Sequence, residues 1–443
     1  MLIRRADVLV GLVAVCLALA LLASPRPTAA QGGAEVWLNV QKGGGTKLNI
    51  AVPTFTVVRG ADAPVGRTLA EVAGNDLTYT GIFSVVAGTA ALPADNPAAL
   101  RQALAEFAQS GAHAALQGVV TVGRNRAEAE MRLYDLTSPD QRLIAQKKFE
   151  VPPAQIRRLA HKVADDVVLE FTGVLGAADT RIAFVGTSPG RPGKQLYMID
   201  YDGVGLTQLT ANGSINLSPV WSPDTRSIAF TSYLKGYPDV YRLFPFERRP
   251  LQTIAAFFGI NAAPAWSPDG RSLALTMSKD GNAEIYVINV ATGATRRLTW
   301  NLGIDAEPTW SPTGRQIAFT SDRQGQPNIF VMDDSGANMR QLTSGGFHTQ
   351  PRWSPRGDLI AYTARRGTHS IWLVNADGSN ARRLDTGSGD AESASWSPDG
   401  RYLAYQMNHA GEWQIYTMRA DGSDQRLVVS GNATSPSWSP RLP

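Results

Sequence analysis

The sequence predicts an all-β six-bladed β-propeller preceded by a smaller α/β domain. Three observations lead there. Six Trp-Ser-Pro tripeptides, starting at Trp221, Trp266, Trp310, Trp353, Trp396 and Trp438, recur 42–45 residues apart. A fixed period of this length marks a repeat architecture whose units cannot bury their apolar faces alone. After a turn, the first five lead into small apolar triplets: Ile228-Ala229-Phe230, Leu273-Ala274-Leu275, Ile317-Ala318-Phe319, Ile360-Ala361-Tyr362 and Leu403-Ala404-Tyr405. The sixth has none, while an unaccompanied triplet, Ile182-Ala183-Phe184, lies upstream. A last repeat that holds what the first one lacks implies a closed ring, its C-terminal strand completing the N-terminal blade.

In chain order, residues 1–30 read as a secretory signal: Arg4 and Arg5, an apolar run from Val8 to Ala23, and Thr28-Ala29-Ala30 as the cleavage site. The run is short for an uncleaved membrane anchor, the rival reading. Residues 31–45 are an arm, Gln31 to Lys42, whose Val36, Leu38 and Val40 alternate, and the hinge Gly43-Gly44-Gly45. The arm is either an edge strand or detachable. Residues 46–175 read as the α/β domain. Leu48 to Phe55 and Phe83 to Val86 are strands, and Asn96 to Ser110 is a helix with Leu100, Leu104 and Phe107 on one face. Ala114 to Val122 and Glu128 to Tyr134 form a strand pair, the latter alternating as in a sheet wet on one side. Pro152-Pro153 opens a second helix, in which Ile156, Leu159, Ala160, Val163, Ala164, Val167, Val168 and Phe171 keep amphipathic spacing up to Gly173.

Residues 176–443 are the propeller. In the third unit Ala263-Pro264-Ala265-Trp266 is a strand and Ser267-Pro268-Asp269-Gly270 a turn. Strands follow over 271–276, 284–290 and 295–299, separated by Lys279-Asp280-Gly281-Asn282 and Thr292-Gly293. Four short strands per unit is propeller geometry. The tryptophans read as wedges between blades rather than a ligand-stacking cage. The Asp-Gly pairs read as turns, because a Ca²⁺ site needs many converging oxygens.

Net charge is +4, of which residues 1–30 supply +2, and no Lys/Arg-rich run suggests nucleic-acid binding. The lone cysteine, Cys16, lies inside the signal, so the mature chain is expected to lack disulfides and thiolate ligands. No catalytic motif is present, and His113, His161, His348, His369 and His409 show no ligand spacing. His161 is expected to face solvent, and Asp165-Asp166 to be a solvated helix face. Neither cofactor, metal nor catalytic group is expected.

Residues just before each Pro-x-Trp should ring one end of the channel. Three before each Trp stand Ser218, Ala263, Glu307, Gln350, Ser393 and Ser435; five before stand Asn216, Asn261, Asp305, His348, Ala391 and Ala433. The second set varies while the Trp-Ser-Pro frame does not, as a scaffold holding a non-repeating surface would.

The chain resembles the TolB family, periplasmic components of the Tol–Pal envelope system of diderm bacteria. The resemblance rests on Ala51-Val52-Pro53-Thr54-Phe55, Ala34-Glu35-Val36-Trp37-Leu38, and Leu169-Glu170-Phe171-Thr172-Gly173 leading to Thr180-Arg181-Ile182. It also rests on Glu307-Pro308-Thr309-Trp310, Ala318-Phe319-Thr320-Ser321-Asp322 and the terminal Ser435-Pro436-Ser437-Trp438-Ser439-Pro440. It implies a non-catalytic periplasmic scaffold, made with a cleaved signal, that supports envelope integrity and outer-membrane constriction at division. It implies two partners. The lipoprotein Pal would sit on one propeller mouth, expected at Asn261, Ala263, Asp305, Ala306, Glu307 and His348. TolA would take the arm, at Glu35, Val36, Trp37, Leu38 and Val40. Other outer-membrane or peptidoglycan-associated proteins are further partners in this reading. Ala263 and Glu307 match the family's mouth; Ile260 stands where members carry a histidine, and Trp37 where a charge is common. The alternatives are a propeller lyase, the gating propeller of a peptidase, or a scaffold for another envelope protein or a glycan.

Overall fold

The computed structural model describes residues 47–443 other than 61, 62, 89, 188, 189 and 191. The expected signal, arm and hinge, with Glu35, Val36, Trp37, Leu38 and Val40, lie outside the described residues.

The α/β domain is built on a sheet of order β3-β1-β4-β5-β6, from β1 (Leu48–Pro53), β2 (Thr56–Arg59), β3 (Phe83–Gly88), β4 (Ala114–Val122), β5 (Ala127–Asp135) and β6 (Leu143–Val151), with β2 also paired to β4. Strand β1 runs parallel to β4; β4, β5 and β6 are antiparallel. Alternation in β5 buries Ala129, Met131 and Leu133 and leaves Glu128, Glu130 and Arg132 part-exposed. Three helices, α1 (Ala63–Tyr79), α2 (Pro97–Gln109) and α3 (Arg157–Thr172), complete it. Asn96 caps α2 by accepting from the Ala98 and Ala99 amides, and Gly173 ends α3 at φ 71°.

Helix α1 and strand β6 escape the sequence reading. Gly66 and Gly74 dilute the helical signal of α1, yet Gly66 is required: a Cβ there would lie 2.1 Å from the Phe55 carbonyl oxygen. Strand β6 carries Lys147 and Lys148, whose charge breaks the apolar pattern and suits an edge strand.

Six four-stranded antiparallel sheets follow. Blades 2–6 run from inside outwards in chain order, with inner strands Asn216–Trp221, Asn261–Trp266, Asp305–Trp310, Phe347–Trp353 and Ala391–Trp396. Blade 1 takes its inner strand, Thr434–Trp438, from the end of the chain and pairs it antiparallel to Arg181–Gly186, Trp438 opposite Ile182. The expected closure is therefore present. Each wedge tryptophan packs on the preceding blade as well as its own: Trp266 lies with Ala229 and Val240 of blade 2 and with Leu273 of blade 3. The serine of Trp-Ser-Pro braces its turn, as Ser267 Oγ donates to Asp269 and accepts from the Ser272 amide at 3.0 Å.

Two expectations fail where the α/β domain meets blades 1 and 6. His161 is 2% exposed and Asp165 and Asp166 are also buried. The stripe of α3 that reads as polar is covered by α1, β6 and the Tyr201–Asp202 turn, which one helix's periodicity does not register. His161 Nδ1 lies 2.7 Å from Asp76 Oδ2, whose other oxygen accepts from Tyr201 Oη at 2.6 Å. Asp165 accepts from the Ala178 and Asp179 amides, and Asp166 pairs with Lys147 at 2.8 Å. Tyr79, at the end of α1, stacks on Tyr402 at 4.7 Å and donates to Thr417 Oγ1.

Burial disfavours charged His161, but the Asp76 carboxylate and its hydrogen bond, with help from Asp202 and against Arg157, push the pKa up to about 9. A raised folded value means the stabilisation is complete below the unfolded value near 6.5 and fades as pH rises through about 9. Thermal or denaturant melts should show a loss on the order of 3 kcal/mol across that window. The loss should be absent in His161→Gln; equal slopes for parent and variant would contradict the assignment. Deleting 435–443 should strip blade 1 of its inner strand, open two sheet edges and give aggregation; a cooperative melt at the parental temperature would rule out the closure.

Candidate functional site

Every inner strand carries the same irregularity. Ser218, Ala263, Glu307, Gln350, Ser393 and Ser435 have φ between 48° and 56°, and the strand register shifts across each of them. Non-glycine residues in the left-handed region are strained by about 1–3 kcal/mol. Here the bulge turns the amide towards the preceding blade. The Ala263 amide donates to Thr231 Oγ1, Glu307 to Thr276 Oγ1, Gln350 to Glu307 Oε2 at 2.8 Å, Ser393 to Gln350 Oε1 and Ser435 to Gln406 Oε1. These bonds step from blade to blade around the channel.

This geometry relocates the expected mouth residues. Asn261, Asp305 and His348 are buried, as are Asn216, Ala391 and Ala433, so the variable set is not a surface. Beyond the bulge these side chains point under the loop that precedes them. Asn261 exchanges hydrogen bonds with Phe257, donating to its carbonyl at 2.7 Å. Asp305 accepts from Asn301 and from Arg323, both at 2.7 Å; burial nonetheless raises its pKa against Ser321 and Arg323. His348 Nδ1 meets Asn328 and Thr343, and burial with the Arg366 charge lowers its pKa, leaving it neutral at pH 7. Ala263, Ala306 and Glu307 are part-exposed. Glu307 is not a solvated carboxylate: Oε2 also accepts from Thr320 Oγ1 at 3.0 Å.

What the mouth displays instead is apolar. The connection into blade 3 carries Phe258, 91% exposed, and Ile260; that into blade 4 carries Trp300, 67% exposed, with Leu302 and Ile304 also exposed. The topology puts both connections at the mouth where the inner strands begin. The 300–304 connection is held firmly. Asn282 Nδ2 donates to the carbonyls of Asn301 and Gly303, the Asn301 amide to buried Glu284, and the Ile304 amide to Asp322. Arg297 bonds Glu284 and lies 5.7 Å from the Trp300 ring centroid. An apolar side chain fixed in water by its own loop is preorganised for contact, because little ordering entropy remains to be lost. The sequence did hold a signal: Trp300-Asn301-Leu302 stands where other blades have Ala211-Asn212-Gly213 or Ser344-Gly345-Gly346.

A profile described as "TolB beta propeller domain" matches residues 169–442, more than half of the chain, and one described as "TolB amino-terminal domain" matches 36–142. The chain belongs to the TolB family. Among curated relatives, the "Tol-Pal system protein TolB" of Desulfosudis oleivorans is 37% identical over 202 residues, covering 44% of this chain and 45% of the relative. That of Anaeromyxobacter dehalogenans is 36% identical over 263 residues, 58% of this chain and 57% of the relative. The match thus spans about half the length of the curated TolB relatives. The crystal structure of TolB from Acinetobacter baumannii is 26% identical, with TM-score 0.75, and the match covers 89% of this chain and 97% of that one. The TolB profiles take in both the α/β domain and the ring.

Among the described residues, no helix is long and apolar enough to cross a membrane. One trio has metal-ligand spacing among them, Asp76, His161 and Asp202. Arg157 sits there already, 3.0 Å from His161 Nε2 and paired with Asp202, so the trio works as an ion-pair network.

Since Glu307 joins blades 4 and 5, Glu307→Ala should lower stability by about 1–2 kcal/mol, whereas Glu307→Gln, which keeps an acceptor, should cost less than half of that. Equal melting temperatures for parent and Glu307→Ala would remove the inter-blade role.

Proposed function

We propose that this chain is a non-catalytic adaptor of the Tol–Pal system in the periplasm, holding Pal on the propeller mouth and TolA through the arm at 31–42, in support of envelope integrity and outer-membrane constriction. The observation that carries the reading is the apolar display of Phe258, Trp300, Leu302 and Ile304 at the propeller mouth. Rigid aromatic and aliphatic anchors of this kind concentrate binding energy at protein interfaces. In this arrangement Ala263, Ala306 and Glu307 form the floor of the Pal site. Asn261, Asp305 and His348 act indirectly, by holding up the loops. The names of the curated relatives and both profile matches support the assignment to this system. A lyase reading has less support: among the described residues lining the channel below the mouth there is no histidine and no carboxylate.

Titration calorimetry separates the two contacts. The double variant Trp300→Ala/Leu302→Ala should bind the periplasmic domain of Pal roughly 30-fold or more weakly. Its melting temperature should hardly change, because both side chains are exposed. Deleting 31–42 should abolish TolA binding and leave Pal binding intact. Parental Pal affinity in the double variant would move the Pal site off this mouth, and parental TolA affinity in the deletion would remove the arm's role.

A further inference from the structure

The channel below the mouth has its own chemistry. Its wall repeats one position per blade, the residue before each wedge tryptophan: Val220, Ala265, Thr309, Arg352, Ser395 and Ser437. Five are small. Thr309, Ser395 and Ser437 each use the hydroxyl oxygen to accept the tryptophan amide of the next blade, Ser395 from Trp438 at 2.9 Å. A hydroxyl that accepts this way keeps its proton to donate.

Arg352 breaks the series. It is the one charged side chain in the wall among the described residues. Its guanidinium has five donor hydrogens, and Nη1 spends one on the adjacent Pro351 carbonyl at 2.9 Å. No carboxylate of the described residues lies within ion-pair distance of it. Glu307, the nearest charge to influence it, is turned to Thr320 and the Gln350 amide. Burial accordingly lowers the guanidinium's pKa, the sign of a charge short of compensation. A second donor is also unused. Trp221 Nε1 is buried without a partner, whereas Trp266, Trp310 and Trp396 give theirs to a carbonyl of the preceding blade.

We propose that the propeller channel is a carboxylate-binding site with Arg352 as its receptor. The planar fork of a guanidinium fits the two oxygens of a carboxylate, and the channel hydroxyls supply further donors. The carboxylate comes either from an acidic side chain of the protein docked on the mouth, which rests on the function proposed above, or from a small free acid.

Two arms of one experiment distinguish these sources, using the mature chain and its variants Arg352→Leu and Arg352→Lys, checked for parental melting. In the first arm each is titrated with the periplasmic domain of Pal. In the second, crystals of each are soaked in bromoacetate and the bromine is located by anomalous scattering. A loss of Pal affinity of roughly 30-fold or more in Arg352→Leu, partly restored in Arg352→Lys, assigns the carboxylate to the partner. Unchanged Pal affinity, with bromine beside Arg352 in the parent and none in Arg352→Leu, assigns it to a free acid. Failure of the parent to bind Pal would refute the adaptor reading, and the bromoacetate arm would then decide the channel alone. Pal affinity that ignores Arg352, together with no bromine in the channel, overturns the site.

Discussion

The propeller depends on one antiparallel pairing, Thr434–Trp438 against Arg181–Gly186. Without it the first and last blades each present an open edge, and a radial array has no other way to remove its edges. The same stretch of chain fastens the α/β domain. Trp438 Nε1 donates to Thr180 Oγ1, Arg441 reaches the Gly176 carbonyl, and Arg158 of α3 reaches Pro443. Ring closure and the seating of the second domain are therefore one network, drawn from the linker and the last ten residues.

Within the ring, strain and bonding are matched. Six left-handed, non-glycine residues would be a liability in a flat sheet. At five of them, all but Ser218, the bulge turns the amide towards the preceding blade, and the hydrogen bond formed offsets the strain. Because the frame is held by backbone and by Thr, Gln and Glu side chains at repeated positions, the connections above it can vary freely. The mouth is thus specialised on blades 3 and 4 without any change in the frame.

Charge is handled in two ways. At the domain interface the carboxylates of Asp76 and Asp202 compensate His161 and Arg157, and the raised pKa of His161 makes the contact depend on pH. In the channel, Arg352 is left without a counter-charge. The first ties the two domains together; the second is the receptor proposed for a carboxylate.

The repeat period, the triplets and the split first unit were enough to determine the six blades and their closure, because both follow from apolar periodicity along one chain. Helix α2 with its Asn96 cap and helix α3 up to Gly173 were legible for the same reason. Helix α1 was hidden by Gly66 and Gly74, the first of which the approach of Phe55 requires. Burial of His161, Asp165 and Asp166 was likewise invisible, since the surface that covers α3 comes from β6, α1 and a turn of blade 1. At the mouth, position relative to Trp-Ser-Pro picked out the residues that begin each inner strand but not which of their side chains are exposed. The left-handed bulge turns Asn261, Asp305 and His348 under the loops and leaves Phe258, Trp300 and Leu302 outermost. Spacing in sequence specifies which residues recur; the sign of one backbone angle, set by packing between blades, decides which of them meet solvent.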